Sequence, residues 1–224
     1  MKIIQNGASK FISVKIDRKQ TAQGAFESIY VSSVEGLEFH VEPWRGLDIS
    51  FLSFDGMPIS YLAPYGVRHP SAFDYSDDSF SANMFFGLLT TCGLENTGPG
   101  CVDGQGVRYS HHGSLNYCAA WHVSLTFDDE GRILTIAGVV QDDRYSKHRF
   151  ILHRKIHFTC GTNEISVEDR VVNQGEKDQI CIMYHYNFGA PFLSEHCRIE
   201  IPYSQATPKN DIAKSESEYL PTVS

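Results

Sequence analysis

The stretch Ile180-Cys181-Ile182-Met183-Tyr184-His185-Tyr186-Asn187-Phe188-Gly189 reads as a β-strand, because β-branched and aromatic residues fill it and a glycine closes it. Side chains two residues apart share one face of a strand. Met183, His185 and Asn187 therefore line one side, while Tyr184, Tyr186 and Phe188 line the other. An imidazole and an amide are held together on a rigid platform. A histidine so placed is either a hydrogen-bonded core residue or a proton-transfer group, since imidazole titrates near neutrality.

Working outward, runs of the same kind recur at Phe11 to Ile16, Ser28 to Ser33, Leu37 to Val41, Leu47 to Phe54, Val123 to Phe127, Ile133 to Val140, Phe150 to Phe158, Glu164 to Val172 and Arg198 to Ile201. Polar turns punctuate them, as in Ser53-Phe54-Asp55-Gly56, Asp128-Asp129-Glu130-Gly131 and Asn173-Gln174-Gly175. Many short strands with almost no helical periodicity predict an all-β fold, an antiparallel β-sandwich. One short helix is expected around Ser81 to Leu89. Residues 64–120, rich in Gly, Ser, Asp and Pro, form a long loop-rich excursion expected to wall a cleft. Residues 203–224 read as a polar tail, and 1–224 as a single domain.

Composition narrows the function classes. A formal net charge of −8 opposes attraction to nucleic acid or anionic lipid, so no nucleic-acid or membrane partner is expected. The N-terminus lacks the apolar core of a signal peptide, and no stretch approaches the roughly 18 apolar residues that span a bilayer, which makes the cytoplasm the expected location. Cys92, Cys101, Cys118, Cys160, Cys181 and Cys197 show no C-x-x-C pair, so reduced thiols are expected and a tetrahedral zinc site is not. P-loop, dinucleotide-binding and serine-elbow motifs are absent from the sequence.

A second histidine cluster, Tyr109-Ser110-His111-His112-Gly113-Ser114, follows the Gly-rich segment Thr91-Cys92-Gly93-Leu94-Glu95-Asn96-Thr97-Gly98-Pro99-Gly100. With Arg45-Gly46-Leu47-Asp48-Ile49 and Tyr184-His185-Tyr186-Asn187-Phe188-Gly189-Ala190-Pro191, these motifs occur in an order that resembles the aldose 1-epimerase (galactose mutarotase-like) superfamily, and within it a bacterial aldose 1-epimerase-like branch. The resemblance covers roughly residues 35–210. It implies the galactose mutarotase-like supersandwich, an isomerase of the mutarotase type, a small sugar as substrate and no cofactor. Members usually continue for some tens of residues further, so the resemblance also implies a sandwich incomplete at its C-terminus and leaves the family's C-terminal glutamate base without a counterpart.

Mutarotation opens a hemiacetal, rotates the C1–C2 bond and recloses the ring, which demands an acid at the ring oxygen and a base at the anomeric hydroxyl. By resemblance His185 takes the place of the acid and His112 that of the second histidine beside the ring oxygen. Arg45 could bind hydroxyls or an acidic substituent with its planar fork, or else pair internally with Asp48 or another carboxylate. Glu95 and Asn96 could exchange hydrogen bonds with sugar hydroxyls, or build the turn that Asn-Thr-Gly favours. His111 and Asn187 complete the candidate binding set. Relatives often carry a basic residue after the His-Gly pair, where this chain has Ser114, which implies weaker binding of an anionic substituent. Trp44, Tyr117, Trp121, Tyr184 and Tyr186 are candidate sugar platforms or core aromatics. Two other readings stay open: a sugar-binding member without catalysis, and a metal site built from His111, His112, His122 and His185. The second lacks a carboxylate at a ligand interval, so no metal is expected.

Overall fold

The computed structural model describes residues 2–73, 83–141, 149–177, 179–198, 200, 202–205, 207–208 and 210–215. Two layers carry the fold. In the first, five strands run in the order β1 (Ile4–Asn6), β10 (Ala120–Phe127), β11 (Ile133–Gln141), β12 (Phe150–Thr159) and β13 (Glu164–Asn173). In the second the order is β14 (Cys181–Tyr186), β7 (Leu89–Leu94), β5 (Asp48–Phe54), β4 (Leu37–Glu42), β3 (Gly24–Ser33) and β2 (Ile12–Thr21), with β6 (Met57–Pro58) paired to β5. A small hairpin joins β8 (Cys101–Val102) to β9 (Arg108–Tyr109). Among the described strands, every strand-to-strand pairing is antiparallel except β1 with β10. The fold is thus the all-β sandwich that the alternation implies.

Residues 1–192 form one compact unit that holds both layers. Residues 193–224 form a second, smaller unit, whose one described helix is α1 (Asp211–Ser215). No described helix is long and apolar enough to cross a membrane.

The core lies between the layers. Ile29, Val31, Phe39, Val41 and Ile49 of the second layer meet Val123, Leu125, Ile136, Leu152, Ile156 and Phe158 of the first, all essentially without solvent contact. Phe39 and Phe158 pack edge to face across the gap, 5.5 Å between centroids. Burying side chains of this size contributes on the order of 1.5–3 kcal/mol each, which is why strict alternation fixes the register.

A polar node pierces this apolar layer. Arg154, inward-facing on β12, donates through Nη1 to Asp48 Oδ1 (2.7 Å) and through Nη2 to Thr91 Oγ1 (2.8 Å), both in the opposite layer. Its Nε and Nη2 also grip the two oxygens of Asp169 on β13 at 2.9 and 2.7 Å. Burial works against the guanidinium charge, but the bonds to Asp169 and Asp48 outweigh it and raise the group's pKa. Tyr184 of β14 donates to Asp169 Oδ2 at 2.9 Å, so the node reaches the last strand of the second layer as well. Burial and that bond push the Tyr184 hydroxyl up to about 12, which keeps it a donor.

Two expectations need correction. From Met84 onward the anticipated helix is not helical: Phe86 bridges Leu62 and Leu89 opens β7, while Ser81 and Ala82 lie outside the described residues. Arg198 and Glu200 are not in a strand, and Ile199 and Ile201 lie outside the described residues. Met84 and Phe85 are instead buried in the loops that cover the second layer, where a small cluster of Phe73, Met84, Cys92 and Tyr117 forms. Hydrophobic periodicity does not separate such a buried loop from a short helix.

Candidate functional site

β14 places its side chains as the alternation requires: Met183, His185 and Asn187 are half-buried, and Tyr184 and Tyr186 are exposed. It pairs with β7 in the register Met183↔Cys92, Tyr184↔Thr91 and His185↔Thr90. Thr91 and Tyr184 face the node between the layers, so His185 faces the other way, toward the loops over Cys92 and Met183.

Those loops are zipped onto β7 by backbone bonds. Gly93 N–H donates to His112 O at 2.9 Å, Ser114 N–H donates to Gly93 O at 3.2 Å, and Gly93 and Gly113 form a parallel bridge. Both glycines are required. Gly93 (φ 130°) lies so close to β14 that a Cβ would collide with the Cys181 carbonyl, and one on Gly113 (φ 72°) would collide with the Gly93 carbonyl.

The result brings His112 to His185. His112 adopts a left-handed backbone (φ 59°), exchanges backbone bonds with Gly98 and Gly93, and accepts the Gly98 N–H at its own Nδ1 (3.0 Å). With Nδ1 an acceptor, the neutral ring carries its proton on Nε2 and presents a donor there. The rings of His112 and His185 stand 6.1 Å apart and nearly perpendicular, 82° between planes. His111 lies against His112 at 4.3 Å. His185 Nδ1 is buried without a hydrogen-bond partner in the protein. A buried unsatisfied ring nitrogen costs about 1–3 kcal/mol, so it marks a place where a ligand oxygen would be welcome.

Around the pair, Glu95 directly follows β7 and its Oε1 accepts the hydroxyl of buried Ser114 at 2.9 Å. Asn96 Nδ2 bonds the carbonyls of Ser110 (2.9 Å) and Pro99 (3.1 Å), so its amide braces the loop. Asn187 Nδ2 bonds the carbonyl of His185 at 3.2 Å. The Ser114 hydroxyl thus holds Glu95 in place.

Arg45 is not on this surface. It is fully buried, and its Nε, Nη1 and Nη2 donate to the carbonyls of Asn116 (2.6 Å), Arg68 (3.0 Å) and Asn83 (3.1 Å). Its guanidinium also lies 4.4 Å over Tyr117 and 5.1 Å over Phe85. The side chain clasps three separated points of the 64–120 excursion, and Asp48, the internal partner considered for it, is gripped by Arg154 instead. Tyr117 is buried and stacked on Phe73, so it is core rather than platform.

A family model described as Domain of unknown function (DUF4432) matches residues 23–224. The chain belongs to this family. Its fold is similar to that in the crystal structure of a "putative aldose 1-epimerase" from Klebsiella pneumoniae subsp. pneumoniae MGH 78578, with a TM-score of 0.71 and 23% identity over 82% of this chain. The DUF4432 chain spans half the length of that protein. At this identity the likeness carries the fold, an aldose 1-epimerase-like sandwich. Comparison with curated proteins finds no match.

Among the described residues of this DUF4432 chain, no group of three or more His, Cys, Asp or Glu side chains is set to hold a metal ion. His122 sits at a bulge in β10, in the other layer. All six cysteines are free, and burial, helped by the nearby Asp48 charge, pushes the Cys92 thiol up to about 12, which makes it an inert packing group. The sequence reading missed Arg154, Asp169 and Thr91. Alternation on β12 and β13 places Arg154 and Asp169 at inward positions, and an inward charge on each of two neighbouring strands was the available signal.

Proposed function

We propose that this protein binds a sugar where β14 meets the 95–114 loops and interconverts its anomers. The observation that carries the reading is the perpendicular His112–His185 pair with the unpartnered Nδ1 of His185. The aldose 1-epimerase-like fold supports it. His185, protonated, gives its proton to the ring oxygen as the C1–ring oxygen bond breaks. A base takes the anomeric hydroxyl proton, so that an open-chain aldehyde forms. Rotation about C1–C2 and the reverse transfers close the ring on the other face. Nε2–H of His112 is the donor that orients the ring oxygen, because its Nδ1 is committed to Gly98. We assign the base role to Glu95, whose carboxylate is held by the Ser114 hydroxyl. The substrate is a soluble aldose, met in the cytoplasm.

Exchange NMR on neutral, phosphorylated and acidic aldoses tests this. Acceleration of anomer exchange by wild type, lost in His185→Ala and reduced about 10²-fold or more in Glu95→Gln, is expected, since a positioned acid or base contributes about 10² to 10⁴. Unchanged exchange in His185→Ala sinks the assignment. Ligand line broadening without acceleration would leave a sugar-binding protein in its place.

A further inference from the structure

Between Asn83 and Leu94 every residue is buried except Phe86, which is half-buried. Its backbone is left-handed (φ 66°), as is that of Gly87 (φ 70°). Glycine or asparagine meets such a φ at little cost, whereas for a bulky side chain it is an outlier that persists only where the surroundings over-determine it. They do so here. Gly87 N–H donates to Tyr61 O at 2.7 Å, Phe86 bridges Leu62, and the Phe86 carbonyl accepts the Thr90 hydroxyl. Gly87 is wedged against β5, where a Cβ would collide with the Ile49 carbonyl and the Ser50 Cα. The turn is locked, yet neither its backbone nor a closed core asks for an aromatic ring at position 86.

The lock sets that ring beside the histidine pair. Thr90, whose hydroxyl holds the Phe86 carbonyl, is the register partner of His185. From there the Phe86 side chain packs on the cluster of Phe73, Met84, Cys92 and Tyr117, which Met183 also joins, and Met183 shares the His185 face of β14. On another flank Tyr61 meets the Phe86 ring edge to face, with 5.4 Å between centroids and 67° between planes. Tyr61 is tied to the end of β14, its N–H donating to Asn187 O at 2.9 Å, and it is 43% exposed. An aromatic wall thus stands next to His185 and is open to solvent.

We infer that Phe86, braced by Tyr61, is the wall on which a C–H face of the substrate packs, and so the residue that selects among aldoses. The inference rests on the sugar-binding reading of the His112–His185 site. In that reading the two histidines hold the ring oxygen of the sugar. A pyranose also presents C–H groups on each face, and which hydroxyls are axial decides whether their run is interrupted. An aromatic ring beside the histidines fits an uninterrupted run of C–H groups. It rejects the epimer that turns a hydroxyl toward it, because that hydroxyl loses water and gains no partner.

Exchange NMR at varied concentrations of aldohexoses that include C3 and C4 epimers tests this on wild type, Phe86→Leu and Phe86→Tyr. The leucine keeps an apolar side chain against Met183 but has no ring. Phe86→Leu should raise KM for the favoured aldose about tenfold with kcat little changed, and should flatten the preference between epimers. Phe86→Tyr should restore both. A leucine variant equal to wild type in KM and epimer preference overturns the inference, and so does a tyrosine variant as impaired as the leucine one, which would make Phe86 a packing residue. Should the variants fail to fold, saturation-transfer NMR decides, using wild type with protonated Phe rings in an otherwise deuterated chain. C–H protons on one face of the bound aldose should receive saturation from those rings, and a bound aldose that receives none counts against the wall. Wild type that neither binds nor accelerates any aldose defeats the sugar reading itself, whereas acceleration that Phe86→Leu leaves untouched defeats this inference alone.

Discussion

Arg45 and Arg154 are both buried guanidinium groups, but their charges are met by different means. Arg154 has two carboxylates, Asp48 and Asp169, whereas Arg45 has three backbone carbonyls and two aromatic faces. Removing Arg154 leaves buried carboxylates unpaired between the layers, so Arg154→Met should destabilise the protein by about 3–5 kcal/mol in urea unfolding. Arg45→Met strands three carbonyls instead and should cost at least about 2 kcal/mol. Because those carbonyls belong to Arg68, Asn83 and Asn116, the same variant should make 64–120 the first region cut by protease. A cleavage pattern identical to wild type would refute the clasp. The sequence makes Arg45 visible but not its role, since a guanidinium in a Trp-Arg-Gly-Leu-Asp motif fits a sugar or a carboxylate equally well. Its partners are backbone atoms scattered over some fifty residues, and no side-chain pattern announces a backbone acceptor.

At the level of elements, β14 was legible and β7 was not, although the two are neighbours. β14 has one half-buried and one exposed face, so its alternation shows directly in Ile182, Tyr184 and Tyr186 against Met183 and His185. β7 is buried along its whole length, and Leu89-Thr90-Thr91-Cys92-Gly93-Leu94 shows no alternation to read. Its glycine, read as part of a loop, is there because β14 passes too close for any side chain. Gly93→Ala therefore meets two obstacles at once, the Cys181 carbonyl and a φ of 130° that L-residues rarely adopt. The variant should lose more than about 2 kcal/mol of stability and push β14 away from the loop that carries His112. Loss of stability with an unchanged His112–His185 relation, read from imidazole NMR shifts and their mutual sensitivity to substitution, would show that the close approach does not position the pair.

For the whole molecule, two groups outside the candidate site set opposing slopes of stability against pH. Glu42 is fully buried between Ser28 and Ser50, whose hydroxyls donate to it at 2.6 and 2.7 Å, and burial raises its pKa above the ordinary carboxylate value of 4.5. The folded state thus holds the proton more tightly than the unfolded chain. The stability this contributes is complete below pH 4.5 and is lost as pH rises through the folded pKa. His40, packed between Tyr30 and Phe51, is shifted the other way, below 6.5, by burial that outweighs its bond to Glu38. Its contribution is complete above pH 6.5 and is lost as pH falls toward the folded pKa, because the unfolded chain then binds the proton first. Urea midpoints measured from pH 5 to 8 on wild type, Glu42→Gln and His40→Gln separate the two slopes. Glu42→Gln should gain on wild type as pH rises, since the glutamine keeps polar contact with both serines and has no proton to lose. His40→Gln should gain on wild type as pH falls below about 6.5, the range in which the wild-type imidazole charges more readily unfolded than folded. Parallel curves for all three proteins would mean that neither group is coupled to folding. A reversal of either sign would mean that its charged form is the one the sandwich holds.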